Sequence, residues 1–594
     1  MRLASWGSTT ILILPHRLSI TGRPFTGPAR SVRVDRLIRR PEPIHYNAWD
    51  MGLEPSSVSP VPSVIRTSSL AAPCSVPNGA ISERGEHTVE EEVKTSADSD
   101  QQDEKLPLTE SVCPQCLKRI PAARIREGAN VHLMKTCPEH GTFSSVIWRG
   151  PPDYTSWLDE RAPNRPVSAQ TAVDKGCPLD CGLCPHHRQQ TCCVLLEITA
   201  RCDLGCPVCF ASSGEEAEPD PGLDIIREWY QLLLESTGTC NIQLSGGEPT
   251  MRADLAEIIA MGHDMGFSFF QLNTNGLRLG RDHEYAFRLK EAGLTTVFLQ
   301  FDGLSDQVYR TLRGKGLFAQ KEAAIAKCAE AGLGVVLVPT LVPGVNIDEI
   351  GRIVDYALRG LPAVRGVHFQ PISYFGRYPQ APRDENRYTL PELMRDIDAQ
   401  TGSRIPLESF HPSGCEHTLC SFHGDYVLLG DGVVRPLTAA VDSRACCNRA
   451  QKLDPPLGTN PADGTKPSER ARPGETANPA LKKRAHVARR WSLDKSPAAC
   501  CRGLDGTSGA AGRIAGDTVT SLDDFLERLR SYSFTISAMT FMDVWNLDLE
   551  RLRNCCLHVV APDRRIVPFC AYNLTDATGR TIHRSPTGLL HSEL

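Results

Sequence analysis

An α/β fold is predicted by three features of the chain. Six short apolar segments alternate with amphipathic helical stretches, the pattern of parallel βα units curled into a barrel or partial barrel. Strands such as Val335–Val338 are apolar on both faces, as in a buried parallel sheet. Cysteine groups flank this region on either side, giving an N-terminal metal knuckle and a smaller C-terminal cysteine-containing domain. The 594 residues, 41% apolar and 23% charged with a net charge of −5, describe a soluble chain with material for several cores.

Residues 1–105 are rich in Ser, Pro, Thr and Arg, lack apolar periodicity and close on a mostly acidic run, so a disordered tail is expected. The first 34 residues carry several arginines and no acid, which fits an organelle presequence; a start codon set too early, or a plain tail, is the favoured reading. Residues 106–172 are expected as a knuckle domain and 173–192 as a second cysteine segment. The βα region spans 193–400, its strands at Val194–Ile198, Ile242–Ser245, Phe267–Leu272, Thr296–Phe301, Gly334–Leu341 and Gly366–Ile372. The intervening helices fall at Leu223–Glu235, Ala253–Met265, His283–Ala292, Lys321–Ala331 and Ile347–Leu358. In the first helix, Leu223, Ile226, Tyr230 and Leu233 form one stripe at the 3.6-residue period. A cysteine region (401–451), a Pro-punctuated linker or insertion (452–512) and a C-terminal domain (513–594) complete the chain.

Several function classes are excluded. Lys and Arg total 65 against 70 Asp and Glu, too balanced for a phosphate-backbone footprint, so no nucleic acid partner is expected. The apolar stretch in STTILILPHR is too short for a secretory signal, and no run approaches the roughly 18 apolar residues of a membrane span. The 23 cysteines would suit either a disulfide scaffold or a metal protein. A chain this long does not need disulfides to stand, so a reducing, cytoplasmic setting with cysteines as ligands is expected.

Their spacing carries the chemistry. TARCDLGCPVCF, after the first strand, holds Cys202, Cys206 and Cys209 as C-x3-C-x2-C, three thiolates able to hold three irons of a [4Fe-4S] cluster and leave the fourth open. The second strand ends in SGGEPT, where Gly246 and Gly247 let backbone approach a ligand and Glu248 and Pro249 follow. The third ends in Asn273, Thr274 and Asn275, and the fourth in Asp302. Chemistry is expected at these C-terminal strand ends.

This combination resembles the radical S-adenosylmethionine (SAM) superfamily. The resemblance implies a partial (β/α)6 TIM-like barrel, a catalytic [4Fe-4S] cluster on Cys202, Cys206 and Cys209, and SAM held by Gly246, Gly247, Glu248 and Pro249. Glu248 then matches the acidic position near the methionine amino group, and Asn273, Asn275 and Asp302 line the adenosine and substrate side. Reductive cleavage of SAM would yield a 5′-deoxyadenosyl radical that attacks an unactivated carbon, in a site that excludes water. One departure is that Val208, not an aromatic residue, precedes the third cysteine, with Phe210 after it.

A second C-x3-C-x2-C lies upstream at Cys177, Cys181 and Cys184. With Cys192 as fourth ligand it is expected as a closed auxiliary [4Fe-4S] cluster, zinc being the alternative; His186 and His187 suit turn residues as well as ligands. Farther upstream, Cys113, Cys116, Cys137 and His140 form C-x2-C-x20-C-x2-H, a tetrahedral knuckle for zinc or a single iron. Cys415, Cys420 and Cys570, with the pairs Cys446–Cys447, Cys500–Cys501 and Cys555–Cys556, are candidates for one more cluster, about half of them serving as packing.

The whole order of motifs, from Cys113 to Ile372 and again at CCLHVVAPDRRIVPFCAYNLT, resembles the class D radical SAM methyltransferases that act on a pterin precursor, and the archaeal tetraether lipid synthase. C-methylation of a pterin-like small molecule, with a folate-type one-carbon donor, is implied first, and carbon–carbon coupling of lipid chains second. A ferredoxin, flavodoxin or reductase would supply electrons. A multi-cluster electron-transfer protein is the reading from another class, and SGGEPT argues against it.

Overall fold

The computed structural model describes residues 106–158, 163–166, 168–214, 219–430, 432–437, 491 and 522–584. The expected disordered tail, the linker apart from Trp491, and Cys446, Cys447, Cys500 and Cys501 lie outside the described residues.

The N-terminal module is a four-stranded antiparallel sheet in chain order: β1 (Thr109–Val112), β2 (Arg119–Glu127), β3 (Asn130–Cys137) and β4 (Gly141–Arg149). Strand β3 alternates, with Val131, Leu133, Lys135 and Cys137 turned inward. Lys135 is the unusual member of this set. Its ammonium donates to Ser111 Oγ at 2.9 Å and to the Val544 carbonyl at 2.6 Å, which seats the module on the C-terminal part of the chain. Arg124 does the same from β2, with an ion pair to Asp548 at 2.7 Å, both side chains buried.

The short helix α1 (Tyr154–Trp157) leads to the central sheet, where strands and helices alternate. Strand β5 (Cys193–Thr199) is followed by α2 (Leu223–Thr237), β6 (Asn241–Gly246) by α3 (Leu255–Asp264), and β7 (Phe270–Thr274) by α4 (Leu277–Arg281) and α5 (Tyr285–Glu291). Strand β8 (Thr296–Gln300) precedes α6 (Asp306–Arg313) and α7 (Phe318–Glu330); β9 (Gly334–Val338) and β10 (Thr340–Leu341) precede α8 (Ile350–Arg359), and β11 (Val364–Pro371) precedes α9 (Leu390–Gln400). Strands β5, β6, β7, β8, β9 and β11 pair in that order, all parallel. Strands β7, β8 and β9 are buried almost throughout, because helices cover one face and the far face lines the site described below. One expected strand starts late: Phe267 and Phe269 extend the apolar pattern, yet pairing begins at Phe270 and both rings pack instead.

The C-terminal region departs from the expected separate domain. Strands β12 (His411–Pro412), β13 (Ser421–Leu428) and β14 (Val434–Pro436), helix α10 (Leu522–Ser531) and strand β15 (Ser533–Met539) build onto one edge, with β15 parallel to β11 and β13 antiparallel to β15. Helix α11 (Leu549–Arg553), strands β16 (Leu557–Val560) and β17 (Ile566–Pro568) and helix α12 (Phe569–Tyr572) build onto the other, where β16 runs parallel to β5. An open run of six strands leaves two rows of unpaired backbone groups, and these late strands satisfy both. No helix among the described residues is long and apolar enough to cross a membrane.

Candidate active site

The loop after β5 carries Cys202, Cys206 and Cys209 and is held from two sides. Arg377 exchanges backbone hydrogen bonds with Cys209 and donates from Nε to the Cys206 carbonyl at 2.8 Å and from Nη2 to the Ser213 carbonyl at 3.0 Å. Beside it, Gly376 sits at φ +67°, and a Cβ there would stand 2.4 Å from the Cys209 carbonyl, so only glycine allows the approach. From β7, Asn275 Nδ2 donates to Asp203 at 2.7 Å. Burial pushes the Cys202 thiol up to about 12 and raises Cys206 too, so binding a metal there must release protons.

The second loop begins at Gly246, with φ +123° and a hypothetical Cβ only 2.1 Å from the Thr199 carbonyl. This glycine presses the end of β6 against the root of the cysteine loop. Glu248 is almost completely buried, and four protein donors already converge on it: Thr250 N (3.0 Å), Thr250 Oγ1 (2.6 Å), Thr274 Oγ1 (2.7 Å) and Asn275 N (2.6 Å). Its carboxylate therefore ties the β6 and β7 loops together, a task beyond the ammonium pairing expected of it.

A cavity of about 340 Å³ lies against these loops. Cys202, Cys206, Cys209, Gly246, Gly247, Glu248, Asn273, Thr274 and Asn275 all line it. Two expected members are not on its wall. Pro249 is buried at the start of a 3-10 turn. Asp302 is fully buried behind the wall, taking two hydrogen bonds from Arg313 at 2.7 and 2.6 Å and one from Thr340 N at 3.2 Å. The carboxylate thus positions Arg313, which does reach the cavity. Arg313 comes from α6 and Lys321 from α7, and neither was singled out in the sequence. Lys321 is fully buried, donates to the Asn275 carbonyl at 2.6 Å and to Gln300 Oε1 at 3.3 Å, and is pushed down to about 8 by burial. The one sequence signal for them was a cation on the inward stripe of an amphipathic helix.

The other cysteines separate into groups. Cys113, Cys116, Cys137 and His140 bring one ligand atom each within 4.8 Å of all the others. Cys116 and Cys137 sulfurs stand 3.9 Å apart, close to the roughly 3.8 Å that zinc–sulfur bonds of about 2.3 Å give in a tetrahedron. Among the described residues this is the single set so compact; the thiols of the cysteine loop are wider apart, as fits ligands of different irons in one cluster. Cys177 and Cys181 thiols are in contact, with Cys184 in electrostatic range of both. Cys192, expected as their fourth partner, instead has its thiol against Cys556, because pairing of β16 with β5 brings the residues preceding the two strands together. Cys192, Cys415 and Cys556 line the cavity. Cys420 and Cys570 are not on its wall: Cys420 accepts from Arg551 at 3.1 Å and Cys570 from Met542 N at 3.3 Å. His187 is buried with its Nε2 3.1 Å from His558 Nε2.

Residues 196–357 match the Radical SAM superfamily, and residues 106–149 match the HMPTM N-terminal zinc ribbon domain. Over 504 residues the chain is 37% identical to the 7,8-dihydro-6-hydroxymethylpterin dimethyltransferase of Methanocaldococcus jannaschii, covering 80% of this chain and 94% of that protein. The chain belongs to the radical SAM superfamily, in the family of that enzyme. As a radical SAM enzyme it is also similar to the GTP 3',8-cyclase of Petrotoga mobilis, 26% identical over 263 residues that make up 41% of this chain and 80% of that one. Among solved structures, SuiB of Streptococcus suis bound to precursor peptide SuiA is 16% identical over 36% of this chain and 47% of that chain, with a TM-score of 0.31, too low to carry weight. Membership implies SAM and a [4Fe-4S] cluster, and the donor set fits them: three thiols on one cavity wall facing a glycine-opened backbone loop.

Proposed function

We propose that this radical SAM enzyme C-methylates a pterin-like small molecule. The observation that carries this reading is the 37% identity to a pterin dimethyltransferase across 94% of that protein. The cavity supports it against lipid coupling. Gln243, Gln271, Asn273, Gln300 and Gln370 line its wall; most of these amide groups have protein partners, but Gln271 Oε1 is buried without one, and a hydrocarbon chain would leave it unpaired at a cost of about 1–3 kcal/mol. A flat heterocycle with an N–H edge would satisfy it.

In this reading the six parallel strands close as a partial barrel around the cavity. Cys202, Cys206 and Cys209 hold the catalytic cluster, while Gly246, Gly247 and the backbone beside Glu248 receive the methionine end of SAM. Asn273 and Asn275 stand on the adenosine and substrate side. With cluster and SAM bound, the site supplies a 5′-deoxyadenosyl radical. The residues of the chain orient the substrate carbon toward it, keep water out and place the cationic Arg313 beside the Cys206 thiolate. Cys177, Cys181 and Cys184 are proposed as auxiliary cluster ligands, and Cys192, Cys415 and Cys556 as a further thiol group facing the cavity. A folate-type one-carbon donor, a ferredoxin, flavodoxin or reductase as electron source, and a reducing cytoplasmic setting complete the proposal.

The test is anaerobic reconstitution with dithionite, SAM, methylenetetrahydrofolate as the one-carbon donor and 7,8-dihydro-6-hydroxymethylpterin. Expected products are 5′-deoxyadenosine and a methylated pterin, with both lost in Cys206→Ala. Deoxyadenosine formation persisting in that variant would overturn the cluster assignment. Robust deoxyadenosine formation by the wild type that the pterin neither stimulates nor enters would overturn the substrate.

A further inference from the structure

A buried row of amides runs beside the cavity with one group unmet. Gln271 is completely buried on β7 and lines the cavity. Its Nε2 donates to Asn273 Oδ1 at 2.7 Å, and Asn273 Nδ2 donates to Gln243 Oε1 at 3.2 Å. Gln243 hydrogen-bonds in turn to the Cys193 thiol. Every donor in the row thus points the same way, toward Cys193, and the acceptor at its head, Gln271 Oε1, is buried without a partner. A buried amide oxygen left unpaired costs about 1–3 kcal/mol, and buried polar groups without partners are rare enough to need a reason. Pairing across the sheet sets Gln271 beside Gln243 and Asn273 beside Phe298. The Phe298 ring lies 4.9 Å from Trp491 and 5.6 Å from His368, and all three line the cavity. Aromatic faces and a polar amide edge therefore meet on neighbouring strands, the pair of features that a flat heterocycle uses when it stacks and hydrogen-bonds at once.

We propose that Gln271 is a substrate-recognition residue whose Oε1 accepts a hydrogen bond from an exocyclic amino group of a planar bicyclic heterocycle stacked against Phe298, with the Gln271–Asn273–Gln243 row holding that oxygen in place. This rests on the pterin reading above and adds the atom that reads the ring. The row fixes the Gln271 amide by its own Nε2 bond, so the oxygen is presented without the entropy cost of a free side chain. A ring carrying oxygen in place of the amino group would set acceptor against acceptor, and a site built to accept a hydrogen bond discriminates strongly against such an analogue.

Two fluorescent probes distinguish the outcomes: 6-hydroxymethylpterin, and 6-hydroxymethyllumazine, in which an oxo group replaces the 2-amino group. Both are titrated anaerobically into reconstituted full-length enzyme with SAM, using the wild type and Gln271→Met, each checked for iron content and thermal midpoint. The wild type is expected to bind the pterin at least tenfold more tightly than the lumazine. Gln271→Met should weaken pterin binding about tenfold and erase the preference. Equal preference in wild type and Gln271→Met overturns the role of Gln271 and leaves the pterin reading standing. A wild type that binds neither probe overturns the pterin reading, and the recognition role falls with it.

Discussion

Single residues in this site act mainly by holding one another. Asp302 positions Arg313, Lys321 positions Asn275 and Gln300, and Glu248 gathers donors from two loops. His368 gives this scale a measurable consequence. Burial pushes its imidazole down to about 4, so the folded protein holds it neutral, with Nδ1 2.9 Å from Ser537 Oγ. The unfolded chain takes up that proton near the ordinary value of about 6.5. The stability tied to the neutral ring is therefore present above pH of about 6.5 and lost as pH falls toward about 4. Urea midpoints at pH 7 and pH 4.5 should fall further for the wild type than for His368→Gln. Parallel shifts in the two proteins would refute the assignment.

At the scale of elements, the β5, β6 and β7 units deliver their functional groups at the C-terminal ends of the strands, and the loops interlock there. Gly246 is the tightest point, since any side chain would meet the Thr199 carbonyl while the backbone stays at positive φ. Gly246→Ala is expected to cost about 2–4 kcal/mol by combining overpacking with strain, and to lower SAM affinity with the three cysteines intact. Thermal denaturation together with iron counting and SAM equilibrium dialysis checks both parts; unchanged stability and affinity would contradict the close packing.

Across the whole molecule, the ribbon and the C-terminal segments are one assembly with the central sheet. Arg124 and Asp548 are 424 positions apart and pair with both side chains buried. Removing the guanidinium takes the main countercharge from the buried Asp548 carboxylate, so Arg124→Ala should destabilise the protein by about 3 kcal/mol while leaving metal stoichiometry at the ribbon unchanged. A calorimetric midpoint equal to the wild type's would mean that the ribbon docks by other contacts.

Much of this was legible in advance. The βα alternation placed six parallel strands and most of their helices, because hydrophobic period is written locally in the chain. The cysteine loop, SGGEPT and the Cys113–His140 quartet were also legible, since ligands that share one loop or hairpin must be close in sequence. Asp302 was misplaced for the complementary reason: its position at a strand end was right, but the buried partner that turns it from the cavity, Arg313, sits 11 residues on and is recognisable only once α6 packs.

By itself, then, the sequence determined the α/β class, the radical SAM loop and the metal ribbon, all consequences of local spacing and periodicity. Tertiary structure alone decided that the C-terminal residues complete both edges of the central sheet, that Cys192 meets Cys556, and that Gln271 lines the cavity while its buried Oε1 has no partner. These contacts join positions tens to hundreds of residues apart. No local pattern specifies them, because they arise from open strand edges and buried polar groups finding partners when the sheet forms.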